Sequence, residues 1–426
     1  MVKSNLLKPI DILKPSPMLV GVLCGIAVPS FVLGRAVLAV PLIAAVVILF
    51  FLPERGDYWR ATKNQAGAPL GMLFLLTLIL WLPSMFFSPQ PLRSLEAWAR
   101  VPVFVGLITL LWVMLFRERE ALTLTLKTFI VATAVSVVYA LSSLTFMPEI
   151  LSFIRGSGWS SMPYEGFRPP DFLKAFASVS ILVAPVVVWI GHQLSGRWTM
   201  LAAAIVIGLL AIVLLTYNRS AVAGLFAMLI VVSGFIVLLY RRPVFNTLLL
   251  IFFTILTIAV LLWLHERRAY YQVPDGVTTF LPPWLLDYQR QIMWSHSIKL
   301  AMHSPWFGNG INIVNLLPGA EVQMPGNELN IIPAHPHNWL VEMFAETGVF
   351  GALSLLALAF GLCFSLARKF LYNRDPAFLA ALLVSVGFWT SGLLNFSFWS
   401  AWWQVCYLLL TAICLAGTRL KVPVRD

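Results

Sequence analysis

The sequence predicts an all-α fold, a polytopic integral membrane helix bundle of about 12 transmembrane helices with one large loop on the outer face. Three observations predict it: an apolar composition, apolar runs of bilayer length, and basic residues gathered in alternate loops. Of the 426 residues, 60% are hydrophobic and 11% charged, where a soluble domain has about 45–50% and about 25%. Mean hydropathy is +0.87. A single soluble core cannot hide that much apolar surface, whereas a hydrocarbon layer of roughly 30 Å accepts spans of about 20 apolar residues.

Apolar runs of helical length fall at 18–34, 36–52, 69–87, 97–116, 121–147, 172–194, 197–217, 219–240, 244–264, 338–366, 377–396 and 398–417. Lys3, Lys8 and Lys14 precede the first run with no cleavage site after it, which predicts an uncleaved first span. Residues 197–240 are almost continuously apolar; as one helix they would measure about 66 Å, twice the hydrocarbon thickness. The chain must turn back, and the polar break TYNRS, Thr216 to Ser220, puts Arg219 at the apex of a helical hairpin. The four cysteines, Cys24, Cys363, Cys406 and Cys414, lie in apolar runs without CxxC spacing and read as packing residues.

Placing the N-terminus inside gathers Lys3, Lys8, Lys14, Arg55, Arg60, Lys63, Arg117, Arg119, Arg197, Arg241, Arg242, Arg368, Lys369, Arg374, Arg419, Lys421 and Arg425 on the cytoplasmic side. Both termini are then cytoplasmic. The net charge of +11 is explained by orientation and anionic lipid, which argues against nucleic acid as a partner. Two long polar segments, 148–171 and 265–337, fall outside. The expected organisation is one membrane domain, 1–426, containing the outer loop 265–337, with a short interfacial helix near 286–303 ended by the turn signal SPWFGNG.

Basic residues on the disfavoured side need an anionic partner. They are Arg155, Arg168, Arg219, Arg267, Arg268, Arg290 and Lys299, with Arg100 and Lys174 at the outer ends of spans. Acids such as Asp171 and Asp287 can pair with some of them. Arg219 has no acid within a helical turn on either flanking span, and a guanidinium fork suits phosphate oxygens.

No GxxxxGK[ST], GxSxG, HExxH or DxD element occurs, so nucleotide hydrolysis, serine hydrolysis and metal-dependent sugar-nucleotide transfer lack their parts. The driving force must reside in the substrate. His335-Pro336-His337 with Glu342 has no recognisable third-ligand spacing, so neither metal nor cofactor is expected. His337 reads either as a general base for a hydroxyl nucleophile or as an interfacial histidine at a helix end. Asn338 suits a helix N-cap, and Gly348 with Gly351, three apart on one helical face, suits close helix packing.

His337-Asn338, nine residues, Gly348, two residues, Gly351 matches the H-N-x9-G-x-x-G signature of the bacterial O-antigen ligase family. TYNRS resembles that family's T-x-S-R element, with Asn218 where serine is common, and DYQRQIMWSHSIKLAMHSPWFGNGIN resembles its R-x-x-x-W…P-x-x-G-x-G segment. The resemblance covers 216–351 in order. It implies a glycosyltransferase of the bacterial inner membrane, acting on the periplasmic face. The reaction would move a glycan from undecaprenyl diphosphate to a sugar hydroxyl of a lipid A-core acceptor, without nucleotide or metal.

In that reading His337 is catalytic and Arg219 with Arg290 holds the donor diphosphate. His335, Asn338, Arg155, Arg168, Lys174, Arg267 and Arg268 are candidates to support the site or touch the acceptor. O-antigen polymerases and protein O-oligosaccharyltransferases share the superfamily. The H-N-x9-G-x-x-G spacing favours a ligase, and the short tail GTRLKVPVRD argues against oligosaccharyltransferases with an extra C-terminal domain. The rival of another class is an exporter or flippase for a polar lipid, kept open by Pro29, Pro83, Pro102 and Pro185 within spans.

Overall fold

The computed structural model describes residues 16–149, 151, 169–240, 242–266, 268–270 and 272–420. Among them every named element is helical, and β pairing is limited to one isolated bridge, Gln323 with Asn330. The chain runs α1 (Pro17–Ala27), α2 (Arg35–Phe50), α3 (Arg55–Ala66), α4 (Pro69–Phe86), α5 (Pro91–Arg117), α6 (Arg119–Thr145), α7 (Pro169–Leu194), α8 (Arg197–Leu215), α9 (Arg219–Tyr240), α10 (Pro243–Glu266), α11 (Tyr288–His303), α12 (Trp339–Asn373), α13 (Pro376–Gly392) and α14 (Ala401–Gly417).

Eight of these helices, α4 to α10 and α12, are long and apolar enough to cross a membrane. The first two and last two apolar runs form shorter helices, and α2 with α3 makes a pair bent by 110°. Local chemistry explains the shortening. Pro29 ends α1 after 11 residues, and the chain continues as a 3-10 turn, Pro29–Leu33. The polar Asn395 and Ser397 interrupt the last two runs, leaving α13 and α14 at 17 residues each, about 26 Å of rise.

The 197–240 stretch breaks at Thr216–Asn218 into two helices, as expected, but the two pack on other helices more than on each other. Helix α8 packs on α7 and α6, whereas α9 packs mainly on α13. The turn is pinned to α7: the Asn218 amide donates to the Lys174 carbonyl at 2.6 Å and to Ser178 Oγ at 2.8 Å. Its Oδ1 accepts from the Ala221 N–H at 3.1 Å, so the residue that departs from the family's serine also caps α9.

Elsewhere α4 packs on α12, α5 on α14, and α13 on both α12 and α14. The segment between α10 and α12 lies on the body rather than standing apart. Ile313, Val314, Leu317, Ala320 and Ile332 bury a small apolar core against Ala345 of α12, and α11 also packs on α12.

Candidate functional site

The site is built where α11, the start of α12 and the α13–α14 loop meet. Asn338 caps α12, its side-chain oxygen accepting from the N–H groups of Leu340 (3.0 Å) and Val341 (3.2 Å). Helix α11 is capped by Asp287, which accepts from the Arg290 N–H at 2.9 Å. One turn into α11, Trp294 Nε1 donates to the Pro336 carbonyl at 2.8 Å. The Arg290 and Trp294 pair of the sequence segment therefore has a mechanical meaning: the tryptophan fixes the His-Pro-His turn and the arginine stands beside it.

His337 sits in the left-handed region at φ 56°, a conformation unusual for a non-glycine residue and held by its surroundings. Its Nδ1 lies 2.6 Å from the Asn395 carbonyl. A carbonyl only accepts, so Nδ1 carries the proton and Nε2 keeps the lone pair. His335 Nδ1 accepts the His337 backbone N–H at 3.2 Å, and the two rings lie 4.3 Å apart. Burial and then the Arg290 charge hold His337 down at about 4, against smaller upward pulls from Asn395 and Asp287. Burial, His337, Arg290 and Arg35 together hold His335 at about 3. Both imidazoles are neutral at physiological pH.

Asn395 joins a second motif to the first. Its amide donates to Ser220 Oγ at 3.1 Å, and Ser220 in turn donates to Asn218 Oδ1 at 2.7 Å. The TYNRS turn, with Arg219 at the first position of α9, is thereby tied to the residue that orients His337. Arg290 forms an ion pair with Asp287 through Nε at 3.5 Å. Lys174 instead pairs with Asp171 of its own helix at 2.7 Å. Arg268 is exposed at the end of α10, donating to the His265 carbonyl at 3.4 Å, and neither joins the histidine pair. Arg155, Arg168 and Arg267 lie outside the described residues.

The signature glycines do different work from the one expected. Gly348 does not extend a helical face; at φ 67° and ψ −171° it breaks α12. A side chain there would overlap the Trp306 backbone, and one at Gly308 (φ 73°) would overlap Glu346. The PWFGNG loop fills the break, with Asn309 N–H to Ala345 O at 3.2 Å, Gly310 N–H to Glu346 O at 3.0 Å and Val349 N–H to Pro305 O at 2.8 Å. Gly351 packs against Trp81, which donates to its carbonyl at 3.2 Å.

Two buried carboxylates complete the frame. Glu342 accepts from Ser397 Oγ (2.6 Å) and the Phe398 N–H (2.7 Å). Glu346 accepts from the N–H groups of Asn312, Ile313 and Val314 at 2.7 to 2.9 Å and from Trp399 Nε1 at 2.5 Å. Glu342 is thus turned away from the histidines. Among the described residues no group of three or more His, Cys, Asp and Glu side chains converges on a metal position.

Sequence reading missed Asn395, which it left inside the run 377–396, and Arg35. The signals were present: Asn395 and Ser397 are polar breaks at a span end, and Arg35 is the lone charge between Lys14 and Glu54.

A comparison with curated proteins finds no match. Residues 202–356 match the family model described as O-antigen ligase, a segment that contains TYNRS, the α11 motif and the signature but neither Arg35 nor Asn395. The motif geometry and this match together show a multi-pass helical membrane protein whose segment 202–356 is similar to the O-antigen ligase family.

Proposed function

We propose that the protein is an O-antigen ligase, transferring a glycan from undecaprenyl diphosphate to a sugar hydroxyl of a lipid A-core acceptor at the periplasmic face of the inner membrane. In this reading the chain crosses the membrane about twelve times with both termini cytoplasmic. The observation that carries it is the locked tautomer of His337, a neutral imidazole with Nε2 available, next to Arg290.

The acceptor O–H gives its proton to His337 Nε2 as the oxygen bonds to the anomeric carbon. The bond from that carbon to the phosphate oxygen breaks, and undecaprenyl diphosphate leaves with the electron pair. Cleavage of the donor's bond to the diphosphate supplies the driving force, so no nucleotide is consumed, and Arg219 and Arg290 neutralise the departing charge. Arg290 also lowers the basicity of His337. A diphosphate seated on Arg290 cancels that repulsion, so the base strengthens when the donor is bound. His335 and Asn338 act by holding the turn.

Purified protein incubated with lipid-linked glycan and core lipid A, without nucleotide, should extend the core lipid A. Growth of the lipid-linked chain itself would make the protein a polymerase. Movement of the lipid-linked glycan across a vesicle with no new glycosidic bond would make it an exporter.

A further inference from the structure

Arg35 lies apart from the three sequence motifs and from the matched segment, yet it reaches the same site. It is the first residue of α2, directly after Gly34. Its guanidinium stands 5.2 Å over the Trp402 ring. Trp402 is itself stacked by Phe31 at 4.9 Å and met edge-on by Phe396 at 4.7 Å. Phe396 follows Asn395, whose carbonyl holds His337. The aromatic stack therefore fixes the guanidinium relative to the base.

Among the described residues Arg35 makes no ion pair, in contrast to Lys174 and Arg290. An outer-face arginine clamped by aromatic rings and lacking a carboxylate is pre-organised for an anion from elsewhere. The cations also approach from different helices. Arg219 and Arg290 come from α9 and α11, whereas Arg35 comes from α2, which packs on α1, α5 and α14. The field of Arg290 falls on both imidazoles, and that of Arg35 on His335. The attacking hydroxyl and the leaving diphosphate occupy different positions around the anomeric carbon, so a two-substrate site needs two recognition flanks.

We propose that Arg35, held over Trp402, binds a phosphate on the sugars of the glycolipid acceptor, forming an acceptor subsite across the histidine pair from the donor diphosphate. This rests on the ligase reading. The acceptor's phosphate anchors its sugar so that the free hydroxyl faces His337 Nε2. No bond to the phosphate is made or broken.

The test compares native core lipid A with enzymatically dephosphorylated core lipid A as acceptors for wild type, Arg35→Gln and Arg35→Lys, all at matched thermal midpoints. With the native acceptor, Arg35→Gln should raise the acceptor KM about tenfold and leave the donor KM unchanged, while Arg35→Lys, keeping charge but not the fork, should fall between. With the dephosphorylated acceptor, the wild-type KM should rise to that of the variant and the difference between them should vanish. An equal loss on both acceptors would overturn the subsite, because Arg35 would then act only through Trp402. A rise in donor KM would overturn it by moving Arg35 to the diphosphate. Failure of the wild type to extend either acceptor would overturn the ligase reading and the subsite with it, an outcome separable from a wild type that is active while Arg35→Gln is unaltered.

Discussion

Helices α10 and α12 both satisfy the length and hydropathy of a membrane span, yet they have opposite places in the protein. Helix α10, 24 residues long, has no buried residue; its Trp263 stacks on Tyr217 of the turn before α9, and its Phe253 meets Phe226 of α9 edge-on. Helix α12, 35 residues long, is capped by Asn338 and carries Glu342, Glu346 and Gly348 in its first three turns, all four buried. An apolar helix without polar residues can settle in lipid anywhere, because its backbone groups are satisfied internally. A helix with two buried carboxylates is confined to one place, where six donors meet them. Polar residues inside an apolar run therefore separate a site helix from a lipid-facing one.

The largest expected effect falls at the head of α12. His337→Ala should lower transfer by about 10²–10⁴-fold, the usual worth of general base catalysis, with donor binding nearly unchanged. The check is the turnover of a well-folded variant with saturating lipid-linked donor. Near-normal turnover would remove His337 from base catalysis and leave the two helices functionally alike.

Next come the arginines outside α12. Arg219→Ala and Arg290→Ala should each weaken donor binding by about 1.5–3 kcal/mol, the scale of one charge-assisted contact, or roughly 10–100-fold, as read by titration with lipid-linked donor. Arg290 has a second, pH-dependent signature. With His337 held near 4, wild-type kcat/KM should persist on the acid side to well below the usual histidine value of about 6.5. Arg290→Gln removes a charge that disfavours the imidazolium, so its acid limb should move up in pH. A limb unchanged by Arg290→Gln would show that His337 does not feel that charge.

Smaller still, and confined to the frame, is Glu342→Ala. It leaves the Ser397 hydroxyl and the Phe398 N–H without their acceptor in a buried place, at a cost of about 1–3 kcal/mol. The thermal midpoint should fall, and turnover should fall with it, because Asn395 lies two residues before Ser397 and orients His337. An unchanged midpoint would mean that the α13–α14 loop is held without α12.

The helical class and the His337, Arg290 and TYNRS elements were legible in the sequence because each rests on local chemistry, such as hydropathy, a turn signal or a motif spacing. Contacts distant in sequence were not legible. Asn395 meets His337 across 58 residues and Ser220 across 175, and no spacing rule joins such positions. Gly348 was misread for a related reason. A helical period puts Gly348 and Gly351 on one face, but the loop that enters the break comes from Pro305 to Gly310, and without it nothing marks the helix as interrupted. Arg35 escaped because the junction between the first two runs is so short that it read as no loop at all.

The smallest expected effect returns to α10 and tests the comparison most directly. Leu250 is 68% exposed on α10, while Leu355 on α12 is 1% exposed within the cluster around Trp81 and Trp399. Truncating Leu355 to alanine removes buried contacts and leaves a cavity, a loss of about 2–5 kcal/mol. Truncating Leu250 to alanine exchanges contacts with lipid for slightly fewer contacts with lipid, so the change should stay within about 0.5 kcal/mol. Thermal midpoints of the two variants in the same lipid would decide the matter. If Leu250→Ala destabilises as much as Leu355→Ala, α10 is packed against a partner within the membrane and the contrast between the two helices disappears. A small effect at Leu250 with a large one at Leu355 would mark α10 as a lipid-facing helix, able to shift without disturbing the frame that holds His337.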